Sequence, residues 1–321
     1  MYKRQYITRL FVAATFLFSG FVKLVDPLGS AYKFEEYFSY DVLNMEYLIP
    51  YALPFSIVLI IVEIMLGLML LIGFKPKLTT WSLFLMTLLF LFLTWYSAYY
   101  DKVTDCGCFG DAVKLTPWET FNKNVLLIVL IVFLMYSVKK INPLVPKKLL
   151  SWISLAGVML CLYITSHVLT HLPLIDFRPY AVGESLQEGM EELAIDGLPK
   201  VHDFYLETED GEDLADDLLA SSKVLFVVAY DIDISEVEGF DTVKRVTDLA
   251  IEDGYTVYGL SASYIDDLKV LNEKYEFDFD WLFVDGTVLK TIIRANPGII
   301  TLEKGTVTGK WNWIDADNFK P

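Results

Sequence analysis

The chain has 321 residues, 54% of them apolar and only 21% charged, with a mean hydropathy of +0.42, a composition that excludes a disordered or collagen-like polypeptide. The formal charge of −16 is unevenly placed: residues 1–172 hold 14 Lys and Arg against 10 Asp and Glu, whereas residues 173–321 hold 12 against 32. The second half, at a net −20, repels nucleic acid and anionic lipid and reads as a solvated domain, so hydropathy and acidity belong to different parts of the chain.

Apolar runs at 6–25, 54–74, 78–99, 120–138 and 149–172 each approach the roughly 20 residues that cross a hydrocarbon core as helix, which predicts five spans. Lys3, Arg4 and Arg9 precede the first span, Lys75 and Lys77 join the second to the third, and Lys139, Lys140, Lys147 and Lys148 join the fourth to the fifth. Basic residues in short loops stay cytoplasmic. The alternate loops, 26–53 and 100–119, carry at least as many acids as bases and are expected outside with the acidic half. This pattern predicts a bacterial inner-membrane protein with a cytoplasmic N-terminus and a periplasmic C-terminal domain. A basic start before an apolar run also describes a signal peptide, but Lys23 interrupts the run and no small-x-small cleavage site follows, which favours a retained helix.

Within the spans, Glu63 sits at a depth where an unpaired carboxylate costs about 2.5 kcal/mol or more. Lys23, near the outer end of the first span, is its expected partner across an antiparallel helix pair. Such a pair either ties two helices together or serves a proton or quinone site, and the structural pair is the simpler reading. Gly20 and Gly67 permit close helix contact. His167 and His171, four apart near the outer end of the fifth span, suit an interfacial anchor or a quinone headgroup; two ligands do not complete a zinc site, and no metal is expected.

Of three cysteines, Cys161 lies among Leu160, Leu162 and Tyr163 and reads as packing. Cys106 and Cys108 stand in an outer loop as Asp105-Cys106-Gly107-Cys108-Phe109-Gly110-Asp111. Disulfides persist in an oxidising compartment, and Gly107 gives the turn needed to bring two such close cysteines together. So small a ring is strained and reducible. A redox-active pair, a structural clip and a two-sulfur metal site are the three readings, in that order. Asp105 and Asp111 would disfavour a thiolate if close, which argues against a strongly activated nucleophile.

The segment from Gly20 through Lys23 to Leu24, Glu63 followed by Gly67, and the loop Cys106-Gly107-Cys108-Phe109-Gly110 with Asn124 downstream together resemble the DoxX and methylamine-utilisation MauE group of redox-associated membrane proteins, over about residues 9–136. The resemblance implies a four-helix membrane core and, for the MauE branch, a part in forming or handling disulfides of exported proteins. The fifth span and the acidic domain extend beyond that core.

After a linker at 173–198, the run 204–207 reads as a strand, 224–230 as a buried strand, 237–250 as an amphipathic helix, and strand and helix alternate through 256–260, 265–275, 281–284 and 288–293 to a hairpin at 299–311. The order resembles a thioredoxin-like fold of the TlpA type, with Asn296 and Pro297 at the place of that family's cis-proline loop. The sequence departs from the family where its chemistry lies: the stretch from Ala229 to Ile234 has no cysteine, nor has the domain anywhere, so disulfide exchange cannot occur in it. Such a domain can bind an extended peptide or shield the membrane core. Trp281, Trp311 and Trp313 are candidate exposed anchors, although core packing explains each equally well.

The fold class expected is therefore a five-helix membrane bundle, residues 1–172, followed by an α/β thioredoxin-like domain, residues 199–321. The function expected is membrane thiol-disulfide handling by Cys106 and Cys108 with an exported or periplasmic partner, a thiol-disulfide oxidoreductase if it is an enzyme. The alternative is a non-enzymatic membrane assembly protein whose cysteine loop is a clip.

Overall fold

The computed structural model describes residues 2–100, 102–103, 107–194 and 197–321. The chain divides into two compact units, Met1–Leu169 and Thr170–Pro321.

The first unit contains α1 (Tyr2–Val25), α2 (Pro27–Phe38), α3 (Ala52–Ile72), α4 (Pro76–Tyr100), α5 (Pro117–Tyr136) and α6 (Lys147–Thr170), the last continuing to the start of the second unit. Among the described residues five helices are long and apolar enough to cross a membrane: α1, α3, α4, α5 and α6. Many of their large apolar side chains face outward, including Leu85, Phe92, Val129, Trp152 and Leu160, as lipid-facing surfaces must. The connector 26–53 is not simply a loop, because Asp26 accepts from the Gly29 N–H at 3.0 Å and Pro27 starts α2 in its first turn. A capping box does the same for α5, with Thr116 and Glu119 bonding each other's backbone N–H and Pro117 following.

Two glycines set the approach of α1 to α3. A Cβ on Gly20 would lie 2.5 Å from Ile64 Cγ1, and one on Gly67 would lie 3.2 Å from the Ala13 carbonyl oxygen. Arg9, expected ahead of the first span, instead belongs to α1 and is buried. Its guanidinium donates to the Leu70, Leu71 and Asn142 carbonyls at 2.8, 2.7 and 2.9 Å. It thereby adds a donor for the last carbonyls of α3, of which that of Leu70 also accepts the Gly73 N–H at 3.3 Å, and ties them to Asn142.

The second unit contains α7 (Leu186–Glu191), α8 (Ala215–Ala220), β1 (Val224–Val228), α9 (Gly239–Glu252), β2 (Thr256–Ser261), α10 (Ile265–Tyr275), β3 (Asp280–Phe283), α11 (Gly286–Ile292), β4 (Gly298–Glu303) and β5 (Thr306–Asn312). The sheet order is β3-β2-β1-β4-β5, with β1, β2 and β3 parallel and β4 and β5 antiparallel. Successive β1 side chains point to opposite faces: Val224, Phe226 and Val228 join a core with α8 and α11, whereas Leu225 and Val227 join one with α9 and α10.

Two expectations are corrected here. The segment 173–198 is no free linker: Tyr180 and Leu186 are core residues, and Gly183 N–H donates to the Val307 carbonyl at 2.8 Å while Leu186 N–H donates to Gly305 at 2.9 Å. Burial of those side chains and pairing with the final hairpin build it into the domain. The stretch 204–207 is not a sheet strand but makes isolated bridges from Glu207 to Asp213 and Phe283. Of the two readings open for Trp281, core packing is the one found: it is buried on β3, where its Nε1 donates to Asn272 Oδ1 at 2.6 Å.

Candidate functional site

Ser19 and Lys23, one helical turn apart, share a face of α1, and the close approach at Gly20 brings Glu63 of α3 to them. Lys23 Nζ donates to Glu63 Oε2 at 2.9 Å and to Ser19 Oγ at 2.8 Å. Both ionic side chains are nearly inaccessible, at 8% and 3%. Ser19 Oγ in turn donates to the Cys108 carbonyl at 2.6 Å. A hydrogen-bonded chain therefore runs from the cysteine loop to a buried carboxylate.

The loop itself is shaped by glycine. Gly107 and Gly110 have φ of +62° and +49°, and the Gly110 N–H closes a turn on the Gly107 carbonyl at 3.2 Å. A Cβ on Gly107 would lie 3.1 Å from Lys33 Cγ on α2, so that helix covers the turn. Phe109 lies against Phe18, with centroids 5.5 Å apart, and receives Lys123 Nζ 4.2 Å from its centroid. Cys108 is half-buried and Asp111 lies in a short 3₁₀ turn, Gly110–Ala112. Asp105 and Cys106 lie outside the described residues, and the Cys106–Cys108 pairing lies outside them too.

Beneath the loop is a small cavity of about 20 Å³, lined by Ser19, Glu63, Thr87, Cys108, Lys123 and Asn124. Asn124 is buried on α5 and its Nδ2 donates to Thr94 Oγ1 of α4 at 3.3 Å. A space of that size with several polar partners suits one water molecule, which needs about 10–15 Å³ by this measure. It does not accommodate a quinone ring, so no quinone step is assigned to it. Proton transfer and loop anchoring are the chemistry it can support. The sequence pattern singles out none of Lys123, Ser19 and Thr87. The one available signal was that Ser19 stands four residues before Lys23.

The remaining candidates are dispersed. His167 stacks on Tyr163 within α6, whereas His171 lies beyond the helix end and shares a 2.7 Å hydrogen bond with Asp315 Oδ2. Asn296 and Pro297 are joined by a cis peptide, and Asn296 Nδ2 donates to the Asp231 carbonyl at 2.7 Å. Among the described residues no group of three or more His, Cys, Asp and Glu side chains could hold a metal ion.

The second unit has its own buried charges. Asp176 receives Arg178 Nε at 2.7 Å, Arg178 Nη2 at 2.9 Å and Lys310 Nζ at 2.7 Å. Burial pushes the Asp176 carboxyl up, but the two cations and their hydrogen bonds outweigh it and hold the group below its ordinary value. Burial, reinforced by the Arg178 charge, pushes the Lys310 ammonium down to about 7 despite Asp176. Arg178 is thus the permanent counter-ion and Lys310 the titrating one.

Residues 3–137 match the family model described as methylamine utilisation protein MauE, a match that takes in the first four spans, the cysteine loop and the buried pair. Over those residues the membrane unit is similar to MauE, and α6 lies beyond the match. Comparison with curated proteins and with solved structures returns no match.

Proposed function

We propose that this MauE-like membrane protein handles thiols and disulfides of exported polypeptides through Cys106 and Cys108, outside an inner membrane whose cytoplasmic side holds the N-terminus. In the proposed step a substrate thiolate attacks the Cys106–Cys108 disulfide and forms a mixed disulfide. A second substrate thiolate resolves it, so that the substrate gains the disulfide and the two electrons and protons reside on the dithiol. The observation that carries this reading is the hydrogen-bonded chain from the Cys108 carbonyl through Ser19 and Lys23 to Glu63. Two cations and a carboxylate at one end of a helix bundle hold the loop and offer a place for protons. The second unit, which has no cysteine, acts in this reading as a thioredoxin-like domain that has kept binding and lost exchange.

Thiol trapping tests the proposal. Cys106→Ser and Cys108→Ser variants, quenched in acid and alkylated, should retain mixed disulfides formed when the remaining loop thiolate attacks a disulfide of an exported protein, the reverse of the proposed step, because the second loop cysteine that would release the adduct is gone. If both variants form no adduct, keep full function and lose only a little thermal stability, the cysteine loop is a clip in an assembly protein.

A further inference from the structure

A cavity of about 560 Å³ lies in the second unit, far in sequence from the cysteine loop. That is the size of a small-molecule site rather than of a packing defect. One wall is the extended segment leading to Glu207. Its side chains alternate, with Phe204 and Leu206 buried and Asp203, Tyr205 and Glu207 turned outward to line the cavity. The opposite wall is the end of β3, where Phe283, 52% exposed, also lines it. The walls are tied together by two backbone hydrogen bonds, Glu207 N–H to the Phe283 carbonyl at 3.1 Å and Phe283 N–H to the Glu207 carbonyl at 2.7 Å.

The polar groups of this cavity divide into those with partners and those without. Lys200 pairs with Glu192 at 2.7 Å, His202 Nδ1 bonds the Pro199 carbonyl at 3.0 Å, and Asp285 caps α11 by accepting from Thr287 N–H at 2.8 Å. The carboxylates of Asp203 and Glu207 have no ion pair and no side-chain hydrogen bond among the described residues. Tyr180, only 2% exposed, lines the same cavity, and its hydroxyl too has no hydrogen-bond partner among them. A phenol so deeply buried ordinarily finds one. Burial, and then the Asp203 charge, push its ionisation upward, so it stays a neutral hydroxyl. Asp203 is held at a φ of +55°, a conformation uncommon for residues other than glycine, Asn and Asp, and the turn there presents its carboxylate to the cavity.

We propose that this cavity binds a primary ammonium or guanidinium group. Two carboxylates without counter-ions supply charge-assisted acceptors, the Tyr180 oxygen supplies a neutral one, and the rings of Tyr205 and Phe283 present faces to a cation. An anionic ligand is repelled by the same carboxylates and by the net −20 of residues 173–321. The cation comes either from a free small amine or from a Lys or Arg side chain of a polypeptide brought to the acidic domain.

Calorimetry on the full-length protein in detergent micelles tests this, with N-acetyl-lysine methylamide and N-acetyl-arginine methylamide as probes. The norleucine and citrulline analogues are the neutral controls, and butylammonium is the free amine. Saturable binding is expected for the cations and binding at least about tenfold weaker for the controls, the effect of losing a charged hydrogen bond. Asp203→Asn, which suits the positive φ, and Glu207→Gln should each weaken binding about tenfold, and Tyr180→Phe by less, with melting temperature unchanged for the first two. Butylammonium binding as tightly as the residue analogues identifies a free amine as the source; a clear preference for the analogues identifies a polypeptide side chain. Neutral analogues that bind equally well, folded Asp203→Asn and Glu207→Gln variants of undiminished affinity, or no saturable binding of any cation would overturn the proposal.

Discussion

Removing either member of the Lys23–Glu63 pair should reveal how much of the membrane unit depends on it. The side chains meet at 2.9 Å with 8% and 3% of their surfaces exposed, so neither charge is rescued by solvent when the other is deleted. Breaking a buried pair on one side costs about 3–5 kcal/mol, whereas replacing both members with apolar groups is often neutral. The two single variants should differ within that range. In Glu63→Leu the ammonium keeps Ser19 Oγ at 2.8 Å, which favours the lower end. In Lys23→Met the carboxylate loses its one side-chain hydrogen bond among the described residues, which favours the upper end. The double variant Lys23→Met/Glu63→Leu should recover most of either loss, a coupling of about 2 kcal/mol or more for residues in direct contact. Reversible unfolding in mixed micelles, followed by tryptophan fluorescence, measures the cycle. Additive single effects, within about 0.5 kcal/mol, would refute the claim that the pair acts as a unit.

Two further outcomes follow from the packing and the buried charges. Gly20→Ala places a Cβ 2.5 Å from Ile64 Cγ1, so it should destabilise the bundle by about 1–3 kcal/mol in the same unfolding assay, and Ile64→Ala should relieve part of that; a neutral Gly20→Ala would mean α1 and α3 can separate freely. Lys310, held at about 7 in the fold against an ordinary 10.5, is protonated in both states below pH 7, but above it the folded form gives up a proton that the unfolded chain keeps, so stability should rise with pH by up to about 1.4 kcal/mol per unit. Lys310→Met should abolish that rise between pH 7 and 9 in urea titrations of the second unit's transition, and a rise of equal slope in the variant would assign it to another group.

The spans were legible because a bilayer demands long apolar helices, and the alternation of β1 to β5 with helices was legible because buried strands read as continuous apolar runs. Helix α2 is announced by Asp26 and Pro27, but the charges spread over 26–53 make the stretch read as a polar loop. The segment 173–198 looked like a linker because it lacks a long periodic run. Its order comes from Tyr180 and Leu186 docking on a hairpin more than a hundred residues later, a contact that no local pattern encodes.

The intramembrane site divides in the same way. Lys23, Glu63 and the cysteine loop each stand out in sequence, because charge in an apolar span and closely spaced cysteines are locally expensive or unusual. Ser19, Thr87 and Lys123 do not: a serine or threonine inside a helix can bond its own carbonyls, as Thr87 Oγ1 does to Leu83 at 2.7 Å, and a lysine near a helix start can reach solvent. Only the convergence of α1, α3, α4 and α5 on one water-sized space gives them a common role. The charge balance there also changes once they are counted. The sequence set the cysteines against Asp105 and Asp111, whereas the described residues bring Cys108 and Lys123 to the lining of one cavity, with Lys23 one hydroxyl away from the Cys108 carbonyl. These neighbours come from four different helices, so spacing along the chain alone does not bring them to the loop.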